Sequence, residues 1–177
     1  MATTLLTLCG SLRADSNNGR LLRVAAALLP EGVGVDHYEG LAGLPAFDPA
    51  LDLAPGPAVE DLRRRVKAAA GILIATPEYA HGMPGALKNA LDWMVGSGEL
   101  MAKPVAILVA GATDGEHTRR ELVEVLRTMS AKVPPDLTLG IAGIRSRWGL
   151  DGSLDPLLTT WLKGMMEGLV EEMKKSA

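Results

Sequence analysis

Short, almost wholly apolar runs alternate with longer amphipathic segments along this chain. Thr3 to Cys9 is apolar and ends at Gly10, which predicts a buried strand. From Asn18 to Leu29, Leu21, Leu22, Ala25, Leu28 and Leu29 recur at helical spacing, and Pro30, Gly32 and Gly34 end the helix. Val33 to Tyr38 is a less apolar strand, suited to a sheet edge. Gly40 to Pro57 is rich in proline and glycine and reads as a long loop, a class that is often functional. Pro57 to Ala70 is a helix with Val59, Leu62 and Val66 inward, and Gly71 to Ala75 is the third strand. Pro84 to Val95 is the next helix, with proline at its first position. Pro104 to Ala110 has the continuous apolar character of a parallel strand covered on both faces. A helix over His117 to Met129, a short strand over Leu137 to Ile141 and a closing helix over Asp155 to Lys175 complete the series. Strand and helix alternate throughout, which predicts an α/β doubly wound parallel sheet. With no repeat or linker in view, residues 1–177 read as a single domain.

Composition adds little to that picture and removes several alternatives. Hydrophobic residues make up 47% and charged residues 22%, as in an ordinary globular protein. A net charge of −3 gives no electrostatic reason to expect nucleic acid or an anionic membrane as partner. The basic run Arg63-Arg64-Arg65-Val66-Lys67 lies beside Glu60 and Asp61 and reads as a solvated helix face. One cysteine, Cys9, excludes an internal disulfide and fits a reducing compartment. No signal peptide or membrane-length apolar run is legible, so a cytoplasmic location is expected.

Candidate chemistry concentrates in two loops that each follow a strand and open a helix, where open α/β sheets bind ligands. The first is Gly10-Ser11-Leu12-Arg13-Ala14-Asp15-Ser16-Asn17-Asn18. Its amides, with a helix dipole behind them, favour an anion. Ser11, Ser16 and Asn18 add neutral donors, and Arg13 adds a charged fork suited to phosphate. A plain helix cap at Ser16 or Asn17 is the alternative. The second loop runs from Thr76 through Pro77, Glu78, Tyr79, Ala80, His81, Gly82, Met83 and Pro84 to Gly85. Its prolines stiffen it, its glycines permit close approach to a flat ligand, and Tyr79 is placed to pack by a ring. The alternative there is a turn with a half-buried tyrosine. Together the loops suggest one ligand with an anionic end and a flat end. Lys88 and Asp92 stand four apart and can pair on one helix face, and with Asn89 they suit bracing or an interface. His37, His81 and His117 lack metal-ligand spacing, so no metal site is expected. His81 is placed either to touch a substrate or to sit in solvent. Cys9 reads as a small core hydrophobe.

At these loops the chain resembles the NADPH-dependent FMN reductase family. The family's Gly-Ser-x-Arg and Ser-x-Asn appear as Gly10-Ser11-Leu12-Arg13 and Ser16-Asn17-Asn18. Its longer Pro-Glu-Tyr motif appears as Pro77-Glu78-Tyr79 followed by Pro84-Gly85-Ala86-Leu87-Lys88-Asn89-Ala90-Leu91-Asp92-Trp93. Leu44-Pro45-Ala46-Phe47-Asp48-Pro49 is similar to a third family loop. Ala80 and Gly82 stand where the family has asparagine and serine, which leaves backbone amides to face the ring. The resemblance implies a flavodoxin-like three-layer sandwich with a five-stranded parallel sheet in the order 2-1-3-4-5. It implies FMN as cofactor and NADPH or NADH as electron donor. Ser11, Arg13, Ser16 and Asn18 would hold the phosphate. Pro77, Glu78, Tyr79, Ala80, His81 and Gly82 would line the ring, with Gly111 and Thr113 near it. No side chain is expected to be catalytic, because the flavin carries the chemistry. Two electrons would pass in ping-pong fashion to free flavin, a quinone, an azo compound or an oxidised metal species. A homo-oligomer, dimer or tetramer, would complete the site, with Met83, Leu87, Leu91, Trp93 and Met94 supplying apolar surface, although a monomer core would also use several of them. A flavodoxin-like electron carrier and a non-catalytic nucleotide-binding protein are the remaining alternatives.

Overall fold

A computed structural model of the chain describes residues 3–176; residues 1, 2 and 177 of the expected domain lie outside the described residues. Five strands carry the fold: β1 (Thr3–Cys9), β2 (Val33–Tyr38), β3 (Gly71–Thr76), β4 (Val105–Gly111) and β5 (Thr138–Ala142). All neighbours pair in parallel, in the order β2-β1-β3-β4-β5. This is the flavodoxin-like order expected from the sequence. Five α-helices connect and flank the strands: α1 (Asn17–Ala27), α2 (Pro57–Ala68), α3 (Gly85–Asp92), α4 (Glu116–Thr128) and α5 (Pro156–Lys175).

Side-chain alternation along each strand sorts the core into two layers. Leu6, Leu8, Ile72, Ile74, Ile107 and Val109 face α2, α3 and α4, whose Leu62, Val66, Leu87, Leu91, Leu122 and Leu126 meet them. Leu5, Leu73, Ala75, Ala106 and Leu108 face α1 and α5, against Leu21, Leu22, Leu162, Met166 and Leu169. Fully burying one such side chain contributes about 1.5–3 kcal/mol, so these two layers dominate the stabilisation. β3 is buried at every position because it lies inside the sheet with helices on both faces. Among the described residues no helix is long and apolar enough to cross a membrane.

Three expectations are corrected. The segment from Gly40 to Pro57 is less irregular than its composition suggests, since it holds 3-10 turns over Gly40–Gly43 and Pro49–Leu51. The basic run of α2 is not simply a solvated face. Arg63 is mostly buried and donates to the Trp93 carbonyl and to Asp52, while Arg65 reaches Asp36 of β2 at 2.7 Å. Met83, Leu87, Leu91, Trp93 and Met94 are all buried within this chain, so they are core rather than surface offered to a partner.

Candidate functional site

The loops at the carboxyl ends of β1, β3, β4 and β5 enclose a cleft of about 610 Å³. That volume lies within the range of small-molecule and cofactor sites. Ser11, Arg13, Asp15, Ser16, Asn17 and Asn18 line one wall, and Pro77, Glu78 and Tyr79 line another. Ala110, Gly111 and Ala112 of the β4 end, and Gly143, Ile144 and Arg145 beyond β5, complete it. Tyr79 and Arg13 also border a neighbouring hollow of about 360 Å³ that includes Pro84 and Gly85.

The first loop is held by its own sequence. The Gly10 amide donates to the Ala75 carbonyl at 2.8 Å, which fastens it to the end of β3. The approach is close enough to need glycine: a Cβ on Gly10 would lie 2.2 Å from Thr76 Oγ1. Ser16 caps α1 by accepting from the Gly19 amide at 3.0 Å, so the plain capping role is realised. Its hydroxyl still lines the cleft. The Asn17 and Asn18 amides, in the first helical turn, have no acceptor among the described residues. Asn18 Nδ2 donates to the Ala110 carbonyl at 3.2 Å, and its buried Oδ1 has no partner among the described residues. What Asn18 offers through its side chain is therefore an acceptor. Arg13 is mostly exposed and pairs with Asp15 at 3.3 Å. Cys9 is half-buried beneath this loop, and its thiol donates to the Ser11 carbonyl.

The second loop is a tight turn pinned to α4. The Tyr79 and Gly82 amides donate to each other's carbonyls at 2.9 and 3.0 Å. Ala80 and His81 between them both have positive φ, 49° and 62°. This is the backbone of a type I′ turn, which ordinarily takes asparagine and glycine. The Thr118 amide donates to Glu78 Oε2 at 2.9 Å, so the Glu78 carboxylate caps the first turn of α4. The Met83 amide donates to Glu121 Oε2 at 2.8 Å. His81 turns away from the cleft and stacks on His117, with ring centroids 4.2 Å apart. Gly82 and Gly85 are not sterically required: a Cβ at Gly82 would meet ordinary contact, and one at Gly85 open space.

Ser11, Arg13, Ser16, Asn18, Pro77, Glu78, Tyr79 and Gly111 thus come together in one cleft. Ala80, His81, Gly82 and Thr113 do not line it. Sequence reasoning missed the β5 loop altogether, because Gly143-Ile144-Arg145 carries no periodicity and no motif. On α3, Lys88 pairs with Asp92 at 2.6 Å. Asn89 does the bracing: its Nδ2 donates to the Pro45 carbonyl, and its Oδ1 accepts from the Phe47 amide. Trp93 Nε1 also donates to Pro45, and its ring meets Phe47 edge-on.

A cleft with free amides and hydroxyls at one end and a backbone turn beside a tyrosine at the other suits a ligand with an anionic and a flat end. The model of the family described as NADPH-dependent FMN reductase matches residues 3–145 of the chain. A probable NADPH:quinone oxidoreductase 1 of Oryza sativa subsp. japonica is 44% identical over 115 residues, covering 61% of this chain and 58% of the rice protein. The match thus takes in less than two thirds of that relative's length. The quinone reductase of Escherichia coli (strain K12) is 36% identical over 129 residues, covering 67% of this chain and 69% of that protein. Among solved structures, the flavoenzyme NAD(P)H:(acceptor) oxidoreductase FerB from Paracoccus denitrificans superposes with a TM-score of 0.86 at 25% identity, over 98% of each chain.

Proposed function

This chain belongs to the NADPH-dependent FMN reductase family, and from that footing we propose that it passes two electrons from NAD(P)H, by way of bound FMN, to a small acceptor. The observation that carries the proposal is the single cleft in which both loops meet. Its donor set fits FMN. The Ser11 and Ser16 hydroxyls, the Asn17 and Asn18 amides and Arg13 match a phosphate. The orphaned Asn18 Oδ1 matches a hydroxyl of the ribityl chain. Pro77, Tyr79 and the backbone beside them face the flat end.

When bound, FMN supplies the redox chemistry. The residues of this chain bind and orient: the first turn of α1 fixes the anionic end, and Pro77, Glu78 and Tyr79, held in place by the turn over Tyr79–Gly82, set the wall beside the ring. Donor and acceptor would enter the cleft in turn, in ping-pong order, and none of the lining residues is asked to act as acid or base. Quinones are the first acceptors to try, given the relatives' names, followed by free flavin, azo compounds and oxidised metal species as substrates. Residues 1–177 act as one FMN-binding domain, cytoplasmic and in a homo-oligomer, dimer or tetramer.

The test is spectroscopic. Purified protein supplemented with FMN is expected to lose its visible flavin band when NADPH is added without oxygen, and to regain it on addition of a quinone. A flavin band that persists with NADPH would overturn the enzyme reading.

A further inference from the structure

We propose that Arg145 is a second cation for the phosphate at the first turn of α1, supplied from the loop beyond β5; this rests on the flavin reading above. Arg145 belongs to none of the motifs that carry the family resemblance. It sits on a short turn, Ile144–Arg147, and lines the same cleft as Ser11, Ser16 and Asn18.

Two hydrogen bonds place that turn beside the start of α1. Asn18 Nδ2 donates to the Ala110 carbonyl at 3.2 Å, which seats the first turn of α1 over the end of β4. The Gly143 amide donates to the Ala112 carbonyl at 3.2 Å, which ties the β5 loop to the same strand end. β4 and β5 are adjacent, with Gly111 opposite Ala142. The helix start and the arginine-bearing turn are therefore both tied to the same strand end. The turn is also fixed. The Gly143 carbonyl accepts from both the Ser146 amide and its hydroxyl, and Ile144 is buried beneath it.

Charge balance gives Arg145 its role. Four charged side chains line the cleft: Arg13, Asp15, Glu78 and Arg145. Arg13 is set against Asp15, and the Glu78 carboxylate is committed to the Thr118 amide. Arg145 has no ion pair or hydrogen bond among the described residues, whereas its neighbour Arg147 faces Asp155 at 3.7 Å. A phosphate monoester carries roughly −1.5 to −2 at pH 7, more than a partly neutralised Arg13 offsets. A planar guanidinium on a fixed turn is suited to the remaining oxygens.

The experiment compares FMN with riboflavin, which lacks the phosphate. Flavin-free wild-type, Arg145→Ala and Arg145→Lys proteins are titrated with each, following flavin fluorescence. FMN affinity is expected to fall about tenfold or more in Arg145→Ala, as for loss of a charge-assisted hydrogen bond. Riboflavin affinity should stay unchanged, and Arg145→Lys should recover part of the loss. The salt dependence of FMN binding should also weaken in Arg145→Ala. Unaltered FMN affinity, or an equal loss for riboflavin, overturns the inference. So does a variant that keeps its FMN affinity but shows a raised KM for NADPH, which would assign the arginine to the donor. A wild-type protein that binds FMN no better than riboflavin refutes the phosphate reading of α1 itself, a failure visible before any variant is made.

Discussion

Ala80 and His81 hold a left-handed backbone in the middle of the ring-side turn, and Ala80 is not a residue that favours it. For an L-residue with a Cβ that conformation costs roughly 1–2 kcal/mol. Replacing Ala80 with asparagine, which tolerates the region better, is expected to raise the unfolding free energy by up to about 1 kcal/mol. Urea denaturation should show a higher midpoint with an unchanged slope. The opposite sign is expected at Gly10, where the added methyl of Gly10→Ala meets Thr76 Oγ1 2.2 Å away. Overpacking of this kind costs about 1–3 kcal/mol, and because it lifts the first loop off β3 it should weaken FMN binding as well. These residues also mark where sequence reading stops. The placement of Gly10 at a strand end and of Tyr79 in a ligand-side loop was legible, because loop position and residue type suffice. The direction of His81 was not. It depends on the turn that swings its ring onto His117, a partner 36 positions along the chain.

At the scale of elements, the strands and helices were legible because burial imprints a period on them. β3 and β4 read as unbroken apolar runs since each has helices on both faces. The Gly40 to Pro57 segment was opaque because its order comes from elsewhere, from Asn89 and Trp93 of the α3 region holding Pro45 and Phe47. The same dependence governs the ring-side turn, whose position relies on α4. Glu121→Ala removes the acceptor of the Met83 amide, which Met83 burial keeps from water. A buried amide left unpaired costs about 1–3 kcal/mol. Hydrogen exchange should accelerate around Tyr79–Met83 in that variant while the strands stay protected. At the opposite end of the sheet, before β4, burial pushes the Lys103 ammonium below the usual lysine range. It stays engaged because the Val66, Lys67 and Ala69 carbonyls at the end of α2 accept from it. Lys103→Met should lower stability by about 1 kcal/mol through loss of that cap.

For the whole molecule, the exposed apolar surface lies elsewhere than the motif pointed to. The apolar residues of α3 are interior, and the exposed ones nearby are Leu51, Leu53 and Val95, with Leu53 fully exposed. Asp52 packs against Gly96, which brings the 51–53 turn beside the end of the α3 region. Three short links bind the rim into one piece: Gly10 to Ala75, Asn18 to Ala110, and Gly143 to Ala112. They join the ends of β1, β3, β4 and β5 through the chain's own backbone and one asparagine side chain. A receptacle already shaped in this way has little ordering to do when its guest arrives. Uptake of FMN by the empty protein should therefore be a one-step encounter, with an observed rate that rises linearly with FMN concentration and no plateau in stopped-flow traces.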